Sequence, residues 1–517
     1  MDLLTRAHGS RFLGIPVSAT LAVAIVLIVL SPAGAVGWVR GSTSPDGSNI
    51  SVQGAMTGPQ EWPTYLGNDL RTSNNTTETW LNKADASKLA VNWTFATSGP
   101  VASSTTVFDG VAYFGSWDGY EYAVNVKTGQ LLWKTFLGVD SYDPKCYGGF
   151  PIGISSAPTV SNGTLYLGGN NATGGFDASW YALSASSGAI LWSVTIGNMS
   201  QGYYNWASPL IYDGFAYVGI ASSCDQPLVP AGLLQVNLTS HSIENFFHTT
   251  PINKKTGKYL NGASIWGSPS VDPRMGVVFA ATGNPPGVIS SEPYSDAILA
   301  FNATNITRNQ KGQPGLDASW QIPAAQAVTD GDFGVGPTVL QGQGPKGTDL
   351  VVAGNKNGYI YGLNASNLSS WTVSGGHLGT LWETHVPMTI QEIISPGSFG
   401  GGLVYFTTPA VNISGKITDG SVWAIKPKTG VVAWNCTLSG RGIGAPLYAN
   451  GLLMVAAGQF LWEYNATTGS KIHEWKYSGD FVSAISIAEG RIFVGNENNN
   501  VYALCVPSVS CSTTPQP

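Results

Sequence analysis

Charge is scarce in this chain. Only 10% of its 517 residues are Asp, Glu, Lys or Arg, and no Lys/Arg cluster interrupts the formal net charge of -6. A protein that grips a phosphate backbone needs a basic stripe, so nucleic acid is excluded as a partner. Charged, strongly helix-forming stretches are nearly absent as well. Cysteine is limited to Cys146, Cys224, Cys436, Cys505 and Cys511, and no C-x-x-C-H occurs, so covalently attached c-type haem is not expected. There is no H-E-x-x-H zinc motif and no Ser-His-Asp hydrolase pattern; His377, His385 and His473 are scattered.

What the chain does have is Gly 65, Trp 17 and Tyr 21, a composition suited to short strands, tight turns and aromatic packing. Its start carries Arg6, His8 and Arg11, then an apolar stretch from Phe12 to Leu30, then Ala33-Gly34-Ala35. Residues 1–35 therefore read as an export signal cleaved after Ala35 or, alternatively, as an uncleaved anchor that tethers the protein to a membrane. A Gly/Ser/Thr-rich linker follows over 36–60, and the folded part starts at Glu61. Asn-x-Ser/Thr acceptors recur from Asn49 to Asn465, in keeping with an extracellular, periplasmic or cell-surface, glycosylated protein. In such a compartment disulfides form, and five cysteines leave at least one unpaired.

"AVNVKTGQLLW" at Ala123 to Trp133 returns as "AIKPKTGVVAW" at Ala424 to Trp434, with degraded copies such as "ALSASSGAILW" at Ala182 between them. Each is preceded by a β-rich pair, as in "TTVFDGVAYFGSWDGYEY" at Thr105. A four-strand unit repeating about every 40 to 60 residues is the mark of an all-β propeller, whose blades stack radially because none buries both faces alone. Inner strands starting near Val101, Ile154, Trp206, Ser264, Phe333, Ile393, Gly442 and Phe481 give an eight-bladed β-propeller of four-stranded blades over 61–506, with seven blades the alternative count and 507–517 a tail. The last unit lacks its outer strand, and "KLAVNWTF" at Lys88 to Phe95 can supply it, closing the ring and removing an exposed edge. Thr-Gly is the turn between strands three and four, and the Trp that ends strand four docks on the neighbouring blade. That motif is architectural; function is expected on the loops of one face.

The Trp-docking repeat resembles the quinoprotein alcohol dehydrogenase superfamily, closest to its polyvinyl-alcohol-dehydrogenase-like branch. The resemblance implies pyrroloquinoline quinone and calcium on the propeller axis. "IWGSPSVDPRMGVVFAATGNPPG" at Ile265 to Gly287 is similar to the family's signature segment. By that likeness Trp266 is the aromatic floor under the quinone and Asn284 a metal ligand, roles that suit a flat tricycle and an oxygen-ligated cation. "TDGDFG" at Thr329 resembles the family's Asp-aromatic pair, which makes Asp332 the catalytic base beside the metal and one of its ligands, although Gly331 stands where a Trp usually precedes it. Lys356, in "NKNG", falls where the family places a cation on the quinone oxygens.

Two departures stand out. In "IASSCDQPLVPAG" the nearest acid to the family's metal-binding Glu is Asp225, shorter and one position out of place, and the family's adjacent cysteine pair is missing. Cys146 can instead bond Cys224, since both loops should share a face, with Cys505 and Cys511 a second candidate pair. The reading that follows is an exported dehydrogenase that oxidises an alcohol, sugar or polyol hydroxyl and passes electrons to a separate acceptor. The alternative is a non-catalytic propeller that binds an extracellular polymer, envelope component or protein partner on the same face.

Overall fold

A computed structural model describes residues 61–506 except 79, 141–150, 226, 286, 288, 290–291, 372–379, 389–391 and 414. Eight antiparallel sheets surround one axis, each built from strands taken in sequence order, inner to outer. Blades 1 to 8 span 106–136, 159–198, 203–248, 270–321, 338–385, 398–438, 447–476 and 486–505. The eighth has three strands of its own, and Ala90–Ala96 completes it by pairing with Asn500–Cys505. Blade 3 adds a short strand, Tyr203–Tyr204, on its second strand.

The inner strands begin slightly later than the repeat implies, at Thr106 instead of Val101 and at Thr338 instead of Phe333. The lead-in residues converge on the axis, where eight chains fit only if side chains are small. Ser104, Ser208, Gly267, Gly336 and Gly444 accordingly line an axial cavity of about 120 Å³, with Trp266 and Tyr65 also in its wall.

The docking motif works as the repeat implies. Trp93, Trp133, Trp382 and Trp434 donate their indole N–H groups to Val126, Ala185, Pro427 and Ala466 carbonyls of the following blade, at 3.0, 3.0, 2.6 and 2.9 Å. Each ring covers a turn glycine. Gly188 has φ +70°, and a Cβ there would lie 2.5 Å from the Trp133 ring, so the turn needs both glycine's conformational range and its lack of bulk. Every outer strand except that of blade 4 carries a register shift in this region, the extra residue turning the chain toward the next blade.

Before the closing strand the chain forms a strap, 62–75, inside the ring. Trp62 exchanges hydrogen bonds with Val107, and Pro63, Asp69, Leu70, Thr72 and Ser73 accept from Val160, Val271, Val339, Phe399 and Tyr448. Asn75 donates to the Ile487 carbonyl and Arg71 to that of Pro209, so all eight inner edges are engaged. An inner strand is an open sheet edge, and the strap satisfies it.

Candidate functional site

At the opposite end of the axis from the strap, the connections between second and third strands and between successive blades form one face. Asp225 comes from the strand 2–3 loop of blade 3, Trp266 from the entry to blade 4, Asn284 from the blade 4 loop, Asp332 from the entry to blade 5, and Lys356 from the blade 5 loop. The structure brings all five together. Lys356 Nζ lies 2.7 Å from Asp332 Oδ1, and the Trp266 indole N–H donates to Asp332 Oδ2 at 3.0 Å. The ammonium also sits 5.1 Å from the centre of the Trp266 ring. A backbone bond from Lys356 N to the Asp332 carbonyl, 3.0 Å, ties the two loops. The turn itself is held by Asn357, which accepts from Tyr359 N and donates to the Tyr361 hydroxyl. Lys356 is buried, so it is not the solvated hairpin lysine that its Asn-Lys-Asn-Gly setting would ordinarily make it.

Asp330 is a site residue that sequence reasoning passed over. Its Oδ1 accepts from Asn284 Nδ2 at 2.8 Å and lies 3.2 Å from Lys356 Nζ, while Asn284 Nδ2 also reaches Asp225 Oδ2 at 3.4 Å. Ser222 Oγ steadies the other Asp225 oxygen at 2.7 Å. Asp296 is a second addition, a buried carboxyl whose backbone N–H donates to Gly283 O. The signal available in the sequence was the Asp-x-Asp spacing of 330 and 332; Asp296, before a third strand, gave none. Asp225, Asp296 and Asp330 have φ values of 58°, 45° and 56°, a left-handed conformation that Asp tolerates better than most residues and that costs backbone energy in each case.

Burial and charge set the ionisation of this corner. Desolvation pushes Asp332 up to about 6, against the pull of the Lys356 charge. Asp330 lies below the usual carboxylate range: burial opposes this, but Lys356 and the Asn284 hydrogen bond outweigh it. Lys356 is held above its ordinary value by Asp332 and Asp330 in spite of its own desolvation. Asp296 is pushed up to about 8, by burial first and by the neighbouring Asp332 charge second. The site therefore combines a firm cation, a firm anion and two carboxyls, Asp332 and Asp296, pushed up toward neutrality.

These residues fit a flat aromatic cofactor: Trp266 supplies a ring face, and beside it Lys356 is a buried ammonium already paired with Asp332 and Asp330. The metal corner is looser. Asn284 presents its amide N–H groups to Asp225 and Asp330, and an amide turned over would join its oxygen to theirs in the all-oxygen set that calcium prefers. Among the described residues no group of three or more His, Cys, Asp or Glu side chains is arranged to hold a metal ion. Of the candidate disulfides, Cys146 and Cys511 lie outside the described residues, and Cys436 is a free thiol.

A repeat-family model described as "Outer membrane protein assembly factor BamB" matches residues 30–268 and 356–506. A polyvinylalcohol dehydrogenase of Pseudomonas sp. is 25% identical over 68% of this chain and 56% of its own length; that of Sphingopyxis sp. is 23% identical over 82% and 62%. The chain thus spans only about three-fifths of these relatives. A tetrathionate hydrolase of Acidithiobacillus ferrooxidans is 25% identical over 79% of this chain and 73% of its own. Among solved structures, a quinohemoprotein alcohol dehydrogenase from Comamonas testosteroni superposes with a TM-score of 0.69 at 15% identity, covering 89% of this chain and 82% of that one, a likeness of fold.

Proposed function

Because the chain belongs to the PQQ_2 repeat family, matched over more than half its length, we propose that it is an exported quinoprotein dehydrogenase that oxidises an alcohol, sugar or polyol hydroxyl. The observation that carries this reading is the double hold on Asp332: one oxygen on Lys356, the other on the Trp266 indole, in a buried setting. Bound pyrroloquinoline quinone supplies an o-quinone that accepts a hydride, and its electrons leave to a separate acceptor. The chain's own residues do the rest. Trp266 offers the platform and Lys356 the charge that favours an anionic ligand. Asp332, ionised above about pH 6, takes the substrate hydroxyl proton. Asn284 with its amide turned over, Asp225, Asp330 and Asp332 would supply the oxygen donors for calcium. Polyvinylalcohol dehydrogenases among the relatives support the substrate class. Reconstitution with the quinone and calcium, followed by dye-linked assay on an alcohol, sugar and polyol panel, tests it: turnover that requires both additions is expected, and none on any member would overturn it.

A second reading has its own observation. Asn284 turns N–H donors toward the very acids that would hold a cation, a corner closed on itself without metal. It favours a propeller that binds a polymer or protein partner on this face. Failure to take up quinone at any calcium concentration would transfer the site to that reading.

A further inference from the structure

Trp266 stands in the wall of the axial cavity. That cavity of about 120 Å³ is lined by small residues, among them Ser208, Gly267, Ser268 and Gly336, by larger ones such as Trp206 and Ile394, and by Tyr65 of the strap. The ring's edge is confined, since a Cβ on Gly334 would come within 2.8 Å of it, and the Lys356 ammonium lies 5.1 Å from its centre. The indole bond to Asp332 and the backbone of Trp266 help set the ring's height on the axis.

That backbone is anchored from the strap. Arg71 is 1% exposed. Its Nε donates to the Pro269 carbonyl at 2.9 Å, three residues along the inner strand from Trp266, and its Nη2 donates at 3.2 Å to Pro209, three residues from Trp206. Its Nη1 is held at 2.8 Å by both Thr64 Oγ1 and the Tyr65 carbonyl. Thr64 Oγ1 in turn shares a hydrogen bond of 2.8 Å with Thr159 of blade 2. A planar guanidinium with its donors fixed on two neighbouring strands holds their spacing as a flexible ammonium would not. Among the blades, 3 and 4 alone have inner-strand carbonyls on Arg71; the others meet the strap through its backbone or Asn75.

We infer that Arg71 is a positioning residue: through Pro269, and by fixing the neighbouring strand at Pro209, it holds Trp266 at the height at which the quinone is received, so that the strap tunes the site from the far side of the axial cavity. The cofactor half of this inference rests on the proposed function; the mechanical half does not. The test is hydrogen exchange and quinone titration on the full chain, comparing wild type with Arg71→Met and with Thr64→Val, a milder variant that loosens the guanidinium and leaves it in place. In whichever variant folds, amides of 265–271 should exchange about tenfold faster or more while those of 452–457 in blade 7 stay unchanged. Quinone affinity should fall about tenfold with turnover at saturation preserved, a split that general destabilisation would not produce. Exchange that rises equally in all blades, or nowhere, would overturn the positioning role. Local exchange with unaltered quinone affinity would overturn its link to the site. A wild type that takes up no quinone would count against the proposed function, and the exchange pattern would still decide whether Arg71 sets these strands.

Discussion

At one register position the outer strands of blades 8, 1, 2, 5 and 6 carry Trp93, Trp133, Trp192, Trp382 and Trp434, opposite a small residue of the third strand; at the same position blades 3 and 4 carry Asn245 and Ala318. The loops of blades 3, 4 and 5 are those that hold Asp225, Trp266, Asn284, Asp332 and Lys356. Most of the unmatched stretch, 269–355, belongs to the same corner. Blade cohesion there is achieved otherwise. Asn245 donates to Gln235 at 2.7 Å and accepts from Thr307, Gln235 donates to the Ala303 carbonyl at 2.9 Å, and Trp371 of blade 5 takes up the space facing Phe279. The repeat's glue and the site's chemistry are thus partly separated: blades 3 and 4 hold site residues without the tryptophan, and blade 5 carries both Trp382 and Lys356. Losing the tryptophan is not itself a mark of function, since blade 7 has His473 there and contributes none of these residues.

Breaking each side of this contrast should give opposite signatures. Asp332→Asn keeps shape but cannot take a proton and can accept from only one of Lys356 and Trp266, so turnover should fall about a hundredfold or more while the protein still takes up quinone. Trp133→Ala, on the glued side, should do the reverse: a loss of roughly 2–3 kcal/mol in denaturant unfolding, at the low end for an aromatic-to-alanine change because the ring is half-buried, with activity per folded molecule retained.

Blade 7 sharpens the comparison through pH. Glu463, opposite His473, is buried with neither carboxyl oxygen hydrogen-bonded, and desolvation pushes it up to about 9 from an ordinary 4.5. The folded chain binds this proton more tightly than the unfolded one, so its contribution is complete below pH 4.5 and is lost as pH rises toward about 9. Glu463→Gln should therefore match wild type in acid and melt higher than it in mildly alkaline buffer; identical melting curves across that range would contradict the assignment. The smallest effect is expected from Asn245→Ala, about 1 kcal/mol in unfolding, since it removes exchangeable hydrogen bonds from a partly exposed network without removing an aromatic plug.

The glued blades were the legible part. Thr-Gly and Trp at fixed spacing require the same turn and the same docking wherever they recur, the tryptophan in five of the eight blades, and Lys88 to Phe95 matches that pattern closely enough to identify the closing strand. Part of the candidate site was legible through the resemblance: Trp266, Asn284, Asp332 and Lys356, singled out on that ground, lie together in space. What the sequence concealed were residues whose roles come from long-range burial. Asp296 looks like any acid before a strand, and Arg71 like any surface arginine, until the ring closes around them. Asp330 was overlooked because one acid already filled the expected role.

The claim at the centre is that the blade 3–5 corner receives a quinone on Trp266. Equilibrium titration of the calcium-supplemented protein with pyrroloquinoline quinone, followed in the near-ultraviolet for wild type and Trp266→Ala, addresses it most directly. The account predicts saturable uptake at one site per chain, weakened on the order of tenfold in the variant as a stacking surface is lost. No saturable uptake by wild type, or equal affinity in both proteins, would contradict it.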